Sequence, residues 1–226
     1  MTSATRNDRN NRMILGLIAG LPLTMILAAS WLWYFVIEGD LDLIGAIGTA
    51  NHGTLIQPPR QIQPYTFEDD VGAAFQWRDL EPRWTMVVAN RGATCDGACE
   101  ARLYVTRQIH IALGKEFNKV RRVYIGDTPI GEARIVPLMP RPTGWPTDVA
   151  PGALGTYLAE GHVGLVALAT EPDNFSTLFP TLADSPEQWY LVDPAGWVMM
   201  RYPDALDYKK VIADLKFLLK NSGELQ

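Results

Sequence analysis

The 226 residues suit one ordinary domain together with an anchor and a connecting stretch. Apolar residues make up 47% of the chain and charged residues 20%, which excludes both a disordered chain and a multi-span membrane protein. The formal net charge is -5 and the basic residues are scattered rather than patched, which argues against nucleic acid as a partner.

Residues 13–37 carry no charged side chain. As a helix at about 1.5 Å per residue, that run reaches roughly 37 Å, enough to cross a hydrocarbon core of about 30 Å with some tilt. Trp31, Trp33, Tyr34 and Phe35 crowd its C-terminal end, where an aromatic belt belongs. Pro22 lies inside the run, and membrane helices tolerate such a kink. Arg6, Arg9 and Arg12 precede the run; Glu38, Asp40 and Asp42 follow it. The positive-inside rule then places residues 1–12 in the cytoplasm and everything after the span outside, in the periplasm if this is a bacterial inner membrane. A cleaved signal peptide is the competing reading, with Ala28-Ala29-Ser30 as its cleavage site. Signal h-regions run only about 7–15 residues, and here the apolar run continues well past Ser30.

Residues 38–65 read as a linker, because Gly39, Gly45, Gly48, Gly53, Pro58, Pro59 and Pro64 interrupt regular structure. The globular domain is expected over 66–226. Residues 84–89 form an apolar, β-rich run, as expected of a buried strand. A turn-rich loop follows, and a helix is predicted from Cys99 to about Phe117, with Ala101, Val105, Ile109 and Ala112 on its apolar face. A second strand is predicted over 120–125. A long loop follows with Pro129, Pro137, Pro140, Pro142, Pro146 and Pro151; loops of this length are often functional or mobile. A short helix over 153–160, a third strand over 163–169 and a helical turn over 175–182 come next. Strands over 189–192 and 197–202 flank Asp193-Pro-Ala-Gly196, a hairpin turn. A closing helix over 206–219 carries Val211, Leu215, Leu218 and Leu219 at helical spacing. Alternating strands and helices predict an α/β domain with parallel strands and helices on both faces, and the terminal hairpin makes the sheet mixed.

The chain has two cysteines, Cys95 and Cys99. A loop this short constrains little of the unfolded chain, so stability does not account for the pair. They fall between the first core strand and the first long helix, at the carboxyl end of a strand, where open α/β sheets place their sites. A helix N-terminus lowers a thiol pKa, and thiolate is both nucleophile and soft metal ligand. Cys-x-x-x-Cys spacing puts both sulfurs on one face of the opening turn, so they can chelate one ion or close into a disulfide. Asp96 and Glu100 oppose the lowered pKa; Arg91 and Arg102 offset them. Two ordinary buried cysteines or an inert local disulfide remain the plain alternative.

At these residues the chain resembles the Sco/SenC family, the membrane-tethered thioredoxin-like assembly factors for the copper centre of cytochrome c oxidase. The resemblance covers the anchor, residues 84–88, Cys95-x-x-x-Cys99, the strand ending near Asp127, and Trp189-Tyr-Leu-Val-Asp-Pro-Ala-Gly196. It implies a thioredoxin-like fold, Cys95 and Cys99 as redox or Cu(I)-binding residues, and cytochrome c oxidase subunits or other assembly factors as partners beside the membrane itself. One departure matters. The family's third copper ligand, a histidine, should fall at Ser185, between Asp184 and Pro186. His110 is about 16 Å along the helix from Cys99, His162 starts a strand at the opposite end of the sheet, and His52 lies in the linker. Two thiolates can still hold Cu(I), with Met139, Met199 or Met200 as thioether helpers. Pro186 also invites comparison with the cis-proline that thioredoxin-like reductases place opposite their cysteines.

The resemblance implies a Sco-like factor in oxidase biogenesis. A general thiol-disulfide oxidoreductase, with Cys95 attacking and Cys99 resolving, is a second reading. A non-catalytic docking protein gripping its partner with residues 128–151 is a third.

Overall fold

The structure, a computed structural model, describes residues 4–37, 51–146 and 149–221. The chain divides into two units, Met1–Ala50 and Asn51–Gln226. The first unit is one helix, α1 (Ala4–Ile37), with Pro22 inside it. Side chains are described only for 16–31 and Tyr34, and all of these but Gly20 are exposed. Among the described residues no helix is long and apolar enough to cross a membrane. The ends of the span expected over 13–37 lie outside the described side chains, as do most of the tail 1–12 and residues 38–50.

In the second unit, chain order gives β1 (Thr54–Gln61), β2 (Thr66–Glu68), β3 (Ala74–Gln76), β4 (Trp84–Asn90) and β5 (Thr94–Cys95). Then come α2 (Gly97–Ala112), β6 (Val120–Gly126), β7 (Arg134–Ile135), β8 (Gly152–Ala153), α3 (Leu154–Gly161) and β9 (Leu165–Ala169). The chain closes with α4 (Pro172–Leu178), β10 (Gln188–Val192), β11 (Trp197–Pro203) and α5 (Tyr208–Asn221). The main sheet runs β1-β11-β10-β4-β6-β9-β2-β3. β4, β6 and β9 are parallel, while β10 pairs antiparallel with both β4 and β11. The expected mixed α/β sheet is therefore present, and a hairpin closes through Asp193 and Gly196.

β4 is buried along its whole length. Its alternation serves two cores: Trp84, Met86 and Val88 pack with α2 and α5, while Val87 and Ala89 pack with α4 and the N-terminal strands. Burying each such large side chain contributes about 1.5–3 kcal/mol relative to leaving it exposed.

The linker expectation needs correction from residue 51 onward. Thr54–Gln61 is a strand on the sheet edge, paired antiparallel with β11, and the register shifts between Leu55 and Arg60. That shift takes up Pro58 and Pro59, which is where a sheet tolerates residues without an N–H. Residues 51–53 are tied down as well. Asp214 on α5 accepts from His52 N at 2.8 Å and Gly53 N at 3.1 Å through Oδ2, and faces His52 Nδ1 at 2.8 Å through Oδ1. Tyr202 Oη donates to the same carboxylate at 3.2 Å.

Candidate functional site: the Cys95–Cys99 loop and its strap

The segment between β4 and α2 is fixed at three points. Asn90, the last residue of β4, donates from Nδ2 to the carbonyl of Thr94 at 3.1 Å. Asp127, just past β6, accepts from Gly92 N at 2.5 Å. Asp96 is the N-cap of α2, its Oδ1 accepting from Ala98 N at 3.1 Å and Cys99 N at 3.0 Å. The carboxylate at the helix start therefore caps the helix, a role signalled in the sequence by an aspartate just before the apolar-periodic run.

Cys95 and Cys99 form a disulfide, with Cα atoms 5.1 Å apart, and both are 0% exposed. What covers them is the proline-rich segment. Its β7 pairs in parallel with β5, matching Cys95 with Ile135, and Val136 N donates to the carbonyl of Cys95 at 2.8 Å. Leu138 lies directly against Gly97. The segment is pinned by Glu100, one residue past Cys99 and only 1% exposed. Its carboxylate accepts from Leu138 N at 2.8 Å and from Arg141 Nη1 at 2.7 and 2.8 Å, and Tyr157 Oη adds a longer contact at 3.4 Å. Residues 134–141 thus form a strap over the disulfide. No local pattern signals the pairing of Glu100 with Arg141, because the two meet only through the tertiary path of the long loop.

The arginines expected to support a thiolate divide. Arg91 reaches Ser176 at 3.4 Å and stacks over Phe175. Arg102, three residues after Cys99, is buried and donates from Nη1 to the carbonyl of Pro186. Its remaining ion-pair partner is Asp204 at 4.0 Å. Burial lowers the Arg102 pKa, against the attraction of Asp204 and Asp96. Burial likewise pushes the Asp204 carboxyl up to about 6, with Arg102 pulling the other way. Ser185–Pro186 is not among the cis peptide bonds, which are Gln57–Pro58 and Met139–Pro140, so Pro186 presents a carbonyl acceptor to Arg102 rather than a cis ring to the cysteines.

None of the histidines joins the cysteines. His52 is committed to Asp214. His110 Nε2 sits 2.9 Å from the carbonyls of Phe117 and Val120, its ring stacked on Phe117. His162 is buried against Arg122 and Tyr157. Met200 is fully buried in β11, opposite Leu191, and Met139 is 71% exposed. Among the described residues no group of three or more His, Cys, Asp or Glu could hold a metal ion. The donors present do not fit a three-ligand copper site.

A family model described as "Transmembrane-like, thioredoxin-like, C-terminal domain" matches residues 84–136 and 167–222, the segments carrying β4 to β7 and β9 to α5. No curated protein matches the chain. Among solved structures, yeast Sco1 aligns with TM-score 0.50 at 16% identity, covering 77% of this chain and 97% of that one. Apo Sco1 from Thermus thermophilus aligns at 0.48 and 15% identity, covering 75% and 97%. Bradyrhizobium japonicum ScoI with copper bound aligns at 0.44 and 18%, covering 67% and 95%. At such identities the likeness shows the fold alone, and with the family match it makes this chain a thioredoxin-fold protein.

Proposed function

We propose that the protein is a membrane-anchored, Sco-like factor in cytochrome c oxidase biogenesis, working by thiol-disulfide exchange at Cys95 and Cys99. The observation that carries this reading is the pairing of the two cysteines at the carboxyl end of β4, with the buried Arg102 held at Pro186, next to where the resemblance expects a histidine. A guanidinium at i+3 from Cys99 lies on the same helix face, favours a thiolate there and disfavours a second cation. Exchange is therefore favoured over copper carriage. The uncharged run 13–37, with arginines before it and acids after it, supports the anchor and a domain outside the cytoplasmic membrane. Apart from Thr24 and Ser30 the described side chains of α1 carry no strongly polar group, and Leu17, Ile18, Leu21, Met25 and Trp31 are exposed, as suits a helix in lipid.

In the forward step the Cys95 thiolate attacks a client disulfide, forming a mixed disulfide and releasing one client thiolate. Cys99 then attacks the Cys95 sulfur, the second client thiolate leaves, and the Cys95–Cys99 bond closes. The client gains two electrons and the pair loses two. A dithiol reductant must restore the pair. Since both sulfurs are buried, residues 134–141 must lift before a client reaches them.

The test is a Cys95→Ser, Cys99→Ser double variant expressed in cells lacking the native protein. Lowered oxidase assembly is expected; full oxidase activity overturns the proposal. Competition of the reduced protein with a calibrated Cu(I) chelator separates the mechanisms. Tight one-to-one binding lost in the double variant would replace exchange by copper carriage.

A further inference from the structure

A cavity of about 430 Å³ opens between α2, α3 and the segment leading from the strap. Its size lies in the range of small-molecule sites. Ile135, Trp145, Pro146 and Val149 give it an apolar wall, with Tyr104 stacked on Trp145 at 4.3 Å. The polar side is dominated by donors. Arg141 lines the cavity with its side chain 9% exposed; Nη1 is taken by Glu100 and Nε by Pro146 O at 2.8 Å, while Nη2 is buried and has no partner among the described residues. Arg107 lines it too and makes no hydrogen bond or ion pair among the described residues. His162 lines it with its Nδ1 accepting from Arg122 Nη1 at 3.3 Å. Since arginine only donates, that bond leaves the proton on His162 Nε2, a third donor.

The charge behind the wall is unbalanced as well. Arg122 is 4% exposed, and among the described residues its Nε has no partner and no carboxylate faces it; burial and then Arg107 pull its pKa down to about 10. A buried cation without a counter-charge is costly, and so is a buried donor left unpaired. Among the described residues two carboxylates line the cavity. Glu100 is consumed by Arg141, Leu138 N and Tyr157, and Glu160 is exposed and pairs with none of the arginines. A ligand that supplies acceptors and negative charge offsets the excess of donors and positive charge around the cavity.

We infer that this cavity binds a small organic anion, a carboxylate or a phosphate ester with an apolar body, held by the guanidinium groups of Arg107 and Arg141 and by His162. The site shares Ile135 and Arg141 with the strap but holds neither cysteine, and it does not rest on the exchange reaction. Its anionic end takes the donors and its body takes the Trp145 wall.

Calorimetric titration of the full chain with benzoate and with phenyl phosphate tests the site. Saturable one-to-one binding is expected for at least one probe, and the tighter probe identifies the anion class. Arg107→Gln, at a partly exposed residue with no bond to lose, should keep the fold and weaken binding tenfold or more, the worth of a charge-assisted contact. Arg107→Lys keeps the charge without the fork and should fall between the two. Lys210→Gln, at an exposed position on α5, removes one positive charge elsewhere and should leave binding unchanged. Absence of saturable binding to either probe in the wild type, or equal losses in Arg107→Gln and Lys210→Gln, overturns the site.

Discussion

Leu138 stands where a side chain on Gly97 would have to go. A Cβ built on Gly97 meets Leu138 Cδ1 at 2.8 Å, its Cβ at 3.0 Å and its Cα at 3.2 Å. The first contact could be relieved by a rotamer change; the last involves backbone, so the strap itself must shift. Alanine at an ordinary helical glycine gains up to about 1 kcal/mol. Here the crowding reverses that sign, and Gly97→Ala should lose about 1–3 kcal/mol. It should also raise the rate at which dithiothreitol reduces Cys95–Cys99 several-fold, because the strap no longer seats. A variant that is stabilised, with an unchanged reduction rate, would show that the strap does not guard the disulfide.

Glu100 and Arg141 form the second fastening of the same strap. Both are nearly buried, at 1% and 9% side-chain exposure, so the pair is weak evidence of net stability but expensive to break. Arg141→Ala leaves a buried carboxylate with Leu138 N and a long contact to Tyr157. A loss of about 3–5 kcal/mol is expected. Glu100→Gln together with Arg141→Met removes both charges and should cost clearly less than Arg141→Ala alone. Chemical denaturation of the wild type, Glu100→Gln, Arg141→Met and the double variant, scored as a coupling energy, checks this. A loss in the double equal to the sum of the two single losses would mean that the pair is not coupled.

The same strap marks where sequence reading ended. The core strands were legible because apolar, β-rich runs such as 84–89 have one interpretation when flanked by turn residues. The Cys-x-x-x-Cys loop was legible from its position between strand and helix. The long loop read correctly as proline-rich, but β7 and β8 are two residues each, too short to carry a period. β7 pairs with β5, 40 residues earlier, β8 pairs with β7, and the segment is held by Glu100, none of which a local pattern reveals. β1 was hidden for the opposite reason. Pro58 and Pro59 signal a break, and only the edge position with its register shift makes them compatible with a strand. The helix expected from Cys99 to about Phe117 is α2, which starts earlier, at Gly97, and ends at Ala112; a 3-10 turn over Gly114–Lys119 then opens at Gly114, whose φ is 59°.

Asp204 should give the domain a pH dependence of unusual sign. Its carboxyl is raised from 3.8 to about 6, first by burial, with Arg102 opposing. The folded state therefore holds the proton more tightly than the unfolded chain. Its contribution is fully present below about pH 4 and is lost as pH rises through about 6. The two-unit shift corresponds to at most about 3 kcal/mol, since one unit is about 1.4 kcal/mol. His162, lowered to about 4 by burial and by Arg122, acts in the opposite sense, losing stability as pH falls below about 6.5. Comparing wild type with Asp204→Asn at each pH cancels the histidine. The variant should match the wild type near pH 4 and exceed it at pH 8. A stability gap that does not change between these two pH values would contradict the assignment.

The N-terminal boundary gives the last prediction. If residues 51–65 were a linker, a chain starting at residue 66 would fold as well as one starting at 51. Instead β1 covers β11, and Asp214, 3% exposed, takes donors from His52 and Gly53. Removing residues 51–65 uncovers the β11 edge and strands a buried carboxylate with Tyr202 alone. The shorter chain should therefore be insoluble or melt well below the longer one. Point substitutions separate the two causes. Asp214→Ala removes the acceptor for four donors and should cost about 3 kcal/mol, since bonds to a charged group are each worth about 1.5–3 kcal/mol and part is recovered by water. His52→Ala keeps both backbone donors, lies at a half-exposed ring, and should cost about 1 kcal/mol or less. Equal melting temperatures for chains beginning at 51 and at 66 would return this segment to the role of a tether and leave β11 as the true edge of the sheet.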